Sequence, residues 1–440
     1  MALIFGTAFC LITPPFQAVD EEFHFFRAYQ LSEGAVLSEV VEGKAGHRLP
    51  KSIEDSISLT KNLQRHPDKK YGIDTALAEF HIPLNEKDKN FVPFPNSAVY
   101  SPVPYLPQAI GIFIGRFFQL PPVFLVFPGR FLNLLAWTLL VYNAIKAAPV
   151  LKWFFFALSL MPMTIFTAAS LSADAATIGL AFLLTATVLN LVFVKKTISA
   201  PEMARLLILT ALLSLSKQIY VTLALMVFIV PSEKFKSKKT YFLFMAGLLI
   251  LNLAVNIAWT FQVKGYLNYE NGAAGGEQIR FILQNIFSYL WIVSCTFLNE
   301  LRFYLVSLVG ILGWYDTHFP SWFYFSFLLI LLLSLLFENS GDIYFNARQK
   351  IILILVPCSC LLLNYTAIYV TFNPVGSQGI TGMQGRYFIP LVPMLSLAAV
   401  SKRPLFSGKL TTAFHVALLI LSPLWLAFTC FVLVQRFYII

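Results

Sequence analysis

The sequence has few charged residues for its length. Asp, Glu, Lys and Arg make up 12% of the 440 residues, whereas 58% are hydrophobic. This composition excludes a soluble globular protein, which needs far less apolar surface. Apolar stretches about as long as a bilayer core recur along the chain, at 123–145, 153–171, 175–194, 241–262, 320–337, 350–371 and 411–435. We therefore predict an all-α polytopic membrane protein.

The sequence also lacks the motifs of several common enzyme classes. It has no Walker loop, no dinucleotide-binding glycine pattern and no nucleophile elbow, so nothing supports ATP or soluble nucleotide-sugar chemistry. The five cysteines, in or beside apolar segments, have no metal-ligand spacing with histidines and are expected to be small buried hydrophobes. No obvious internal repeat is present, which disfavours a transporter built from inverted halves.

The basic residues predict the topology. The net charge of +10 does not indicate nucleic acid, because Lys and Arg stand mostly in short segments between apolar stretches, as in cytoplasmic loops. We place four such segments inside, around 146–152, 195–205, 234–239 and 402–409, the last with Lys402 and Arg403.

This topology divides the chain into four parts with about 11 to 13 membrane segments in total. Residues 1–16 lack a basic n-region and a cleavage site, and they are expected to form a first membrane helix rather than a signal peptide. A large extracytoplasmic loop, 17–120, ends in an interfacial stretch at 105–118. A membrane core, 121–262, precedes C-terminal membrane helices, 263–440, with external loops at 263–320 and 372–386.

One polar residue interrupts the membrane core. Segment 206–230 lies between two cationic loops, is too short for two full spans, and carries Lys217 near its middle. We predict two half-length helices that enter and return, with Lys217 at the tip beside an anionic partner. The alternative is a single span with a snorkelling lysine.

Under this topology the unusual polar clusters fall on the outer side. They are Asp20, Glu21, Glu22, His24 and Arg27; Asp174; Lys217; Asp316 and His318; and Gln384, Arg386 and Tyr387. Their convergence predicts one extracytoplasmic site near the membrane surface.

Each residue type in this group indicates a role in binding or catalysis. Asp20 or Glu21 could act as a general base, because a carboxylate near an apolar boundary can have a raised pKa. The guanidinium groups of Arg27 and Arg386 suit phosphate, and Lys217 would add a point charge. His24 could donate a hydrogen bond or bind a divalent metal.

The same residues also have structural interpretations. Asp20 could cap a helix or pair with Arg27, and Asp174 could cap the helix that begins at 175. Arg386 could be a snorkelling residue next to Tyr387.

Longer motifs make the sequence resemble a known family. The matching stretches are Pro14-Pro15-Phe16-Gln17, Asp20-Glu21, His24, Arg27-Ala28-Tyr29-Gln30; Tyr100-Ser101-Pro102, Tyr105, Pro107-Gln108-Ala109; Gly129-Arg130; Ser172 and Asp174; Lys217 and Tyr220; Leu312-Gly313-Trp314-Tyr315-Asp316; and Gly382-Met383-Gln384-Gly385-Arg386-Tyr387. Together they resemble a bacterial family of predicted membrane proteins known as domain of unknown function 2142, over nearly the whole chain.

That family is similar to the GT-C superfamily of membrane glycosyltransferases, which use polyprenyl-phosphate-linked sugars. The resemblance implies a GT-C-like bundle with an acidic catalytic residue in the first external loop. By this resemblance Asp20 is the first candidate for the base and Glu21 the second. Arg27, Lys217 and Arg386 would hold the carrier phosphate. The further substrate-binding candidates are His24, Tyr105, Arg130, Asp174, Tyr220, Asp316, Gln384 and Tyr387.

The leading hypothesis is a glycosyltransferase of the bacterial cytoplasmic membrane, with its site facing outside. It would move a sugar from a polyprenyl-phosphate donor to a cell-surface polysaccharide or lipid-linked glycan. The expected partners are that donor, a glycan acceptor and the lipid bilayer, without nucleic acid. No cofactor is predicted, although a divalent metal stays open. The alternatives are a polysaccharide polymerase or ligase that uses polyprenyl-diphosphate glycans, and a lipid-glycan transporter.

Overall fold

Helices make up most of the structure. The computed structural model describes residues 1–267, 269, 271–338, 341, 343–400, 406 and 408–439, so Lys402 and Arg403 lie outside the described residues. The α-helices are α1 Ala2–Ile12, α2 Glu21–Ser32, α3 Lys51–Thr60, α4 Ile73–Phe80, α5 Pro95–Ala98, α6 Leu106–Phe117, α7 Pro122–Ala147, α8 Lys152–Ser159, α9 Pro162–Ala168, α10 Ala173–Phe193, α11 Ala200–Ser216, α12 Lys238–Val263, α13 Gly275–Gln284, α14 Ile286–Asn299, α15 Leu301–Gly310, α16 Ser321–Leu336, α17 Ala347–Phe372, α18 Val392–Leu397 and α19 Lys409–Tyr438. The 3₁₀ helices are Lys61–Leu63, Val103–Tyr105, Gln218–Ile229, Ser232–Lys234 and Gly385–Phe388.

Five of the described helices are long and apolar enough to cross a membrane: α7, α10, α12, α17 and α19. The pair α13 and α14, bent by 105°, makes a sixth if it is counted as one span. This number is smaller than the 11 to 13 segments predicted, because several apolar stretches form shorter helices. The stretch 153–171, for example, breaks into α8 and α9 at Pro162, which begins a new helix because proline cannot continue the old one.

The helical core is built around α10. This helix is buried along most of its length and packs closely against α7 and α11. A Cβ atom at Gly179 of α10 would lie 2.8 Å from the side chain of Leu140 in α7, so the two helices approach where one has no side chain. Small residues permit such close contacts between membrane helices.

The predicted loop 17–120 is a folded region with its own core. Strands β1 Glu39–Val41, β2 Lys44–Pro50 and β3 Lys89–Pro93 form an antiparallel sheet in the order β1-β2-β3. The sheet packs with α2 and α3 around a second apolar core, which includes Phe25, Tyr29, Leu49, Ile53 and Phe94. Helix α6 falls within the stretch that was expected to lie at the interface.

Lys217 separates two segments that pack against each other. Helix α11 ends at Ser216, Lys217 has an extended backbone with φ −153° and ψ 109°, and the 3₁₀ helix Gln218–Ile229 follows. That 3₁₀ helix also packs along α17. The chain therefore changes direction at the residue predicted to form the tip of a hairpin, and the position of this hairpin in a membrane stays a prediction.

Candidate functional site

Residues from most of the polar clusters, but not from the Asp316 and His318 pair, meet at a cavity of about 530 Å³ between the helical core and the folded region 17–120. Its polar part is lined by Asp20, His24, Tyr100, Asp174, Lys217, Tyr315, Gln384, Arg386 and Tyr387. Its apolar part is lined by residues that include Leu267, Ile219, Ala367, Ile368 and Phe372. One cavity thus combines charged groups with a hydrophobic wall that α17 supplies in part.

Asp20 stands at the edge of this cavity, on a turn held from several directions. Its backbone is left-handed, with φ +61°, immediately before α2. The carbonyl oxygen of Phe16 accepts a hydrogen bond from the Trp314 indole at 3.0 Å, and the Gln17 amide donates to the Thr60 carbonyl at 3.0 Å. The carboxylate of Asp20 is 45% exposed and lies 3.7 Å from the guanidinium of Arg386.

Asp174 lies deeper and pairs with two cations. Its Oδ1 accepts a hydrogen bond from Lys217 Nζ at 3.0 Å, and its Oδ2 lies 3.3 Å from Arg386 Nε. The predicted alternative of a helix cap is wrong, because the hydroxyl of Ser172 is the N-cap of α10 and accepts from the backbone N–H of Asp174. The Asp174 carboxylate is instead the anionic partner expected for Lys217.

Two tyrosines hold the cations in place. Lys217 Nζ lies 4.1 Å from the centre of the Tyr387 ring, in a cation–π contact. The hydroxyl of Tyr220 donates to the backbone carbonyl of Tyr387 at 2.7 Å and so fixes the segment that follows Arg386. Tyr220 supports the cavity in this way although it does not line it.

His24 lines the cavity as a half-buried imidazole. Its Nδ1 lies 2.6 Å from the hydroxyl of Tyr105, which therefore positions the ring without lining the cavity. Burial lowers the pKa of His24 to about 4, with further lowering by Arg386 and Lys217 and an opposing effect of Asp174. Across the described ranges, no three His, Cys, Asp or Glu side chains are grouped as a possible metal site.

Glu21 and Arg130 lie elsewhere, in a closed ion pair. Both side chains are fully buried, with Glu21 oxygens 2.7 and 2.6 Å from Arg130 Nε and Nη2. Arg130 also donates to three carbonyls at the end of α1, and Glu21 accepts from the backbone N–H of Leu171 at 3.0 Å. These contacts join α1, α2 and α7, and neither side chain lines the cavity, so the structure does not support the predictions of a base at Glu21 and a substrate ligand at Arg130.

Arg27 and Asp316 are also structural. Arg27 is buried and donates to the Gln30 side chain at 2.6 Å and to the Tyr100 carbonyl at 3.1 Å. Asp316 accepts from Arg436 at 2.6 Å. Neither lines the cavity, so the predictions that they bind substrate are not supported, and the ion partner of Asp20 is Arg386 rather than Arg27.

Other cavity residues were not predicted as site residues. Trp314 and the exposed Arg65 also line the cavity, with the guanidinium carbon 5.7 Å from the centre of the indole ring. Trp314 lies within a matching stretch, which was the available signal. Arg65 and the apolar wall gave no signal, because their place depends on how distant segments pack.

The chain matches the family described as "Predicted membrane protein (DUF2142)" over residues 3–395. It therefore belongs to this family of multi-pass membrane proteins. A search of curated proteins found no match, and neither did a search of solved structures.

Proposed function

We propose that the protein is a membrane glycosyltransferase of the GT-C type. It transfers a sugar from a polyprenyl-phosphate donor to a glycan acceptor on the outer side of the bacterial cytoplasmic membrane. The observation that carries the proposal is the single cavity in which Asp20, the Lys217–Asp174–Arg386 cluster and an apolar wall come together. Each part corresponds to one part of the reaction.

The charge of the cavity suits a phosphodiester. Among the described lining residues, the largely buried charges are Lys217 and Arg386 against Asp174, so two cations and one carboxylate leave one positive charge. At the rim, Asp20 and Arg65 cancel. A polyprenyl-phosphate sugar carries one negative charge and a diphosphate-linked glycan carries two, so the cavity is better matched to the monophosphate. Low polarity around the site strengthens the electrostatic attraction between the cations and the phosphate.

The apolar wall supports a lipid substrate. Ile219 lies in the 3₁₀ helix that begins just after Lys217, and Ala367 and Ile368 come from α17. Hydrophobic side chains of the wall therefore begin close to the cations. A polyprenyl chain placed along this wall would bring its phosphate to Lys217 and Arg386. The wall lets the chain stay in apolar surroundings while its phosphate reaches the cations, so that no apolar carbon has to be exposed to water.

Asp20 is the proposed general base. It takes the proton of an acceptor hydroxyl while that oxygen forms a bond to the anomeric carbon of the donor sugar. The bond from the anomeric carbon to the phosphate oxygen breaks, and polyprenyl phosphate leaves with the bonding electrons. Lys217 and Arg386 stabilise the negative charge that builds on the phosphate. The position of Asp20 at the open edge of the cavity suits an acceptor that arrives from water.

The test is a paired glycan analysis. Cells with wild-type protein are compared with Asp20→Asn cells by mass spectrometry of the surface polysaccharide, with matched protein levels in the membrane. We expect loss of one sugar with polymer length unchanged. Asp55→Asn is the matched control, because Asp55 is an exposed carboxylate of the same folded region outside the cavity.

Two other outcomes would redirect the proposal. Unchanged glycan in Asp20→Asn cells would exclude Asp20 as the base. Shortened or unanchored polymer with intact repeat units would favour a polymerase or ligase that uses a diphosphate-linked donor.

A further inference from the structure

Helix α4, Ile73–Phe80, presents an apolar face that is largely exposed. Ile73, Leu77 and Phe80 follow helical spacing and are 72%, 49% and 54% exposed. The opposite side of the helix is turned inward, where the buried Glu79 carboxylate accepts a hydrogen bond from the Tyr71 hydroxyl at 2.6 Å. That contact fixes the rotation of α4 about its own axis, and the apolar face therefore points outward.

The entrance to α4 is attached to the end of α19. The backbone N–H of Tyr71 donates to the carbonyl of Phe437 at 2.7 Å. Lys70 Nζ donates to the carbonyls of Gln435 and Arg436 at 3.0 and 3.1 Å, and so caps the C-terminus of that long apolar helix. The chain therefore enters α4 at the level where one candidate span ends.

The exit of α4 is attached to the beginning of α7. The ring of Phe80 packs edge-on against Phe124, with ring centres 5.7 Å apart, in the first turn of that span. Helix α4 thus touches the ends of two candidate spans at the same side of the bundle. A surface helix at this level, with an apolar outer face, has the position and composition of an interfacial helix.

We propose that α4 is an interfacial anchor that inserts Ile73, Leu77 and Phe80 into the adjoining lipid leaflet. The partner is a lipid surface because Phe80 packs on the first turn of α7, a candidate membrane span that has further exposed apolar residues, including Phe131 and Leu139. Lys69 and Lys70 at its entrance suit the charged head-group layer.

A second protein chain fits this face less well. A specific protein interface buries about 800 Å² on each partner, whereas α4 offers three apolar side chains on two helical turns. Insertion into the head-group boundary requires only such a narrow apolar face.

The anchor also bears on the turn that carries Asp20. The segment before α4 contacts this turn through the Gln17–Thr60 hydrogen bond, a Gln64 hydrogen bond to the Phe16 carbonyl at 3.4 Å, and Lys61, which lies 3.9 Å from Glu22. When α4 is inserted, it therefore holds at the lipid surface the segment that contacts this turn.

The test measures water access along α4 in the full-length protein. Leu77→Cys and Ala78→Cys variants are placed in lipid nanodiscs with one copy per disc and treated with a membrane-impermeant maleimide. Ala78 is exposed and adjacent in sequence, but lies about 100° around the helix from Leu77 and outside the apolar face, so it is the matched control. We expect Leu77→Cys to react at least about tenfold more slowly, because lipid excludes the reagent.

The unsubstituted protein gives the background from the five native cysteines. Ile73→Cys provides a second position on the same face if Leu77→Cys does not fold. Equal reaction at positions 77 and 78 would overturn the proposal. Slow reaction at position 77 in crowded membranes but fast reaction in single-copy discs would overturn it in favour of a second copy of this chain. Because the readout is water access, it does not depend on glycosyl transfer.

Discussion

Two clusters in this protein each pair a carboxylate with basic side chains, but in opposite settings. Glu21–Arg130 is closed, with both side chains fully buried and Arg130 surrounded by backbone carbonyls. The Asp174–Lys217–Arg386 cluster faces a cavity and has more cations than carboxylates among its largely buried members. A buried pair with every partner supplied by the protein holds helices together. A cluster with excess charge beside a cavity can hold a ligand.

The comparison is sharpest at two neighbouring residues. Asp20 and Glu21 are adjacent acids, yet one carboxylate reaches the cavity and the other is buried between α1 and α7. The left-handed backbone at Asp20 ends the preceding turn and begins α2, so successive side chains point to different environments. Adjacent positions in a sequence therefore do not imply a shared role.

The largest expected effect is on stability, at the closed pair. Glu21→Gln leaves the Arg130 charge buried without its carboxylate, and we expect a loss of roughly 3–5 kcal/mol in unfolding free energy. Thermal unfolding in detergent measures it, with Asp20→Asn as control, because the Asp20 carboxylate is partly exposed. Equal destabilisation by the two variants would remove the distinction between the clusters.

The next effect is on binding, at the open cluster. Lys217→Gln removes one of the two cations, and we expect a short-chain polyprenyl phosphate to bind at least about tenfold more weakly, equivalent to about 1.4 kcal/mol. Native mass spectrometry of the purified protein measures this affinity. Lys196→Gln, at an exposed lysine beyond the far end of α10, is the control. Unchanged affinity in Lys217→Gln would mean that the excess charge does not bind phosphate.

The smallest effect is a pH dependence of stability at His24. Because burial lowers the pKa of His24 to about 4, the folded protein keeps this ring neutral while the unfolded chain protonates it near pH 6.5. The contribution of the neutral ring is present above pH 6.5 and is lost as the pH falls toward 4. We expect His24→Gln to lose less thermal stability than wild type across this range.

His66→Gln serves as the control for that experiment, since His66 is exposed. If His24→Gln and wild type showed the same pH profile between 6.5 and 4, the pKa of His24 would not be lowered in the folded protein. The cavity would then be more open to water than the structure indicates.

The sequence predicted the pairing at Lys217 more successfully than the roles of the acidic turn. A lysine inside an apolar stretch requires an anionic partner, and the structure supplies Asp174. Asp20, Glu21 and Arg27 were grouped because they are close in sequence, but the turn at Asp20 and the helix α2 that follows place them in three different surroundings. Arg130 and Asp316 were considered as ligands by resemblance, and the structure places them in buried ion pairs instead.

Composition alone determined that the protein is helical and lies in a membrane, because its apolar stretches can be buried in no other way. Sequence position also fixed Lys217 as an interruption of such a stretch. Tertiary structure decided which polar residues share the cavity, because α2, α10, the turn at Lys217 and the segment with Arg386 are distant in sequence and meet only on packing. It also decided that α4 presents its apolar face outward, through the contacts of its ends with α19 and α7 and of Glu79 with Tyr71.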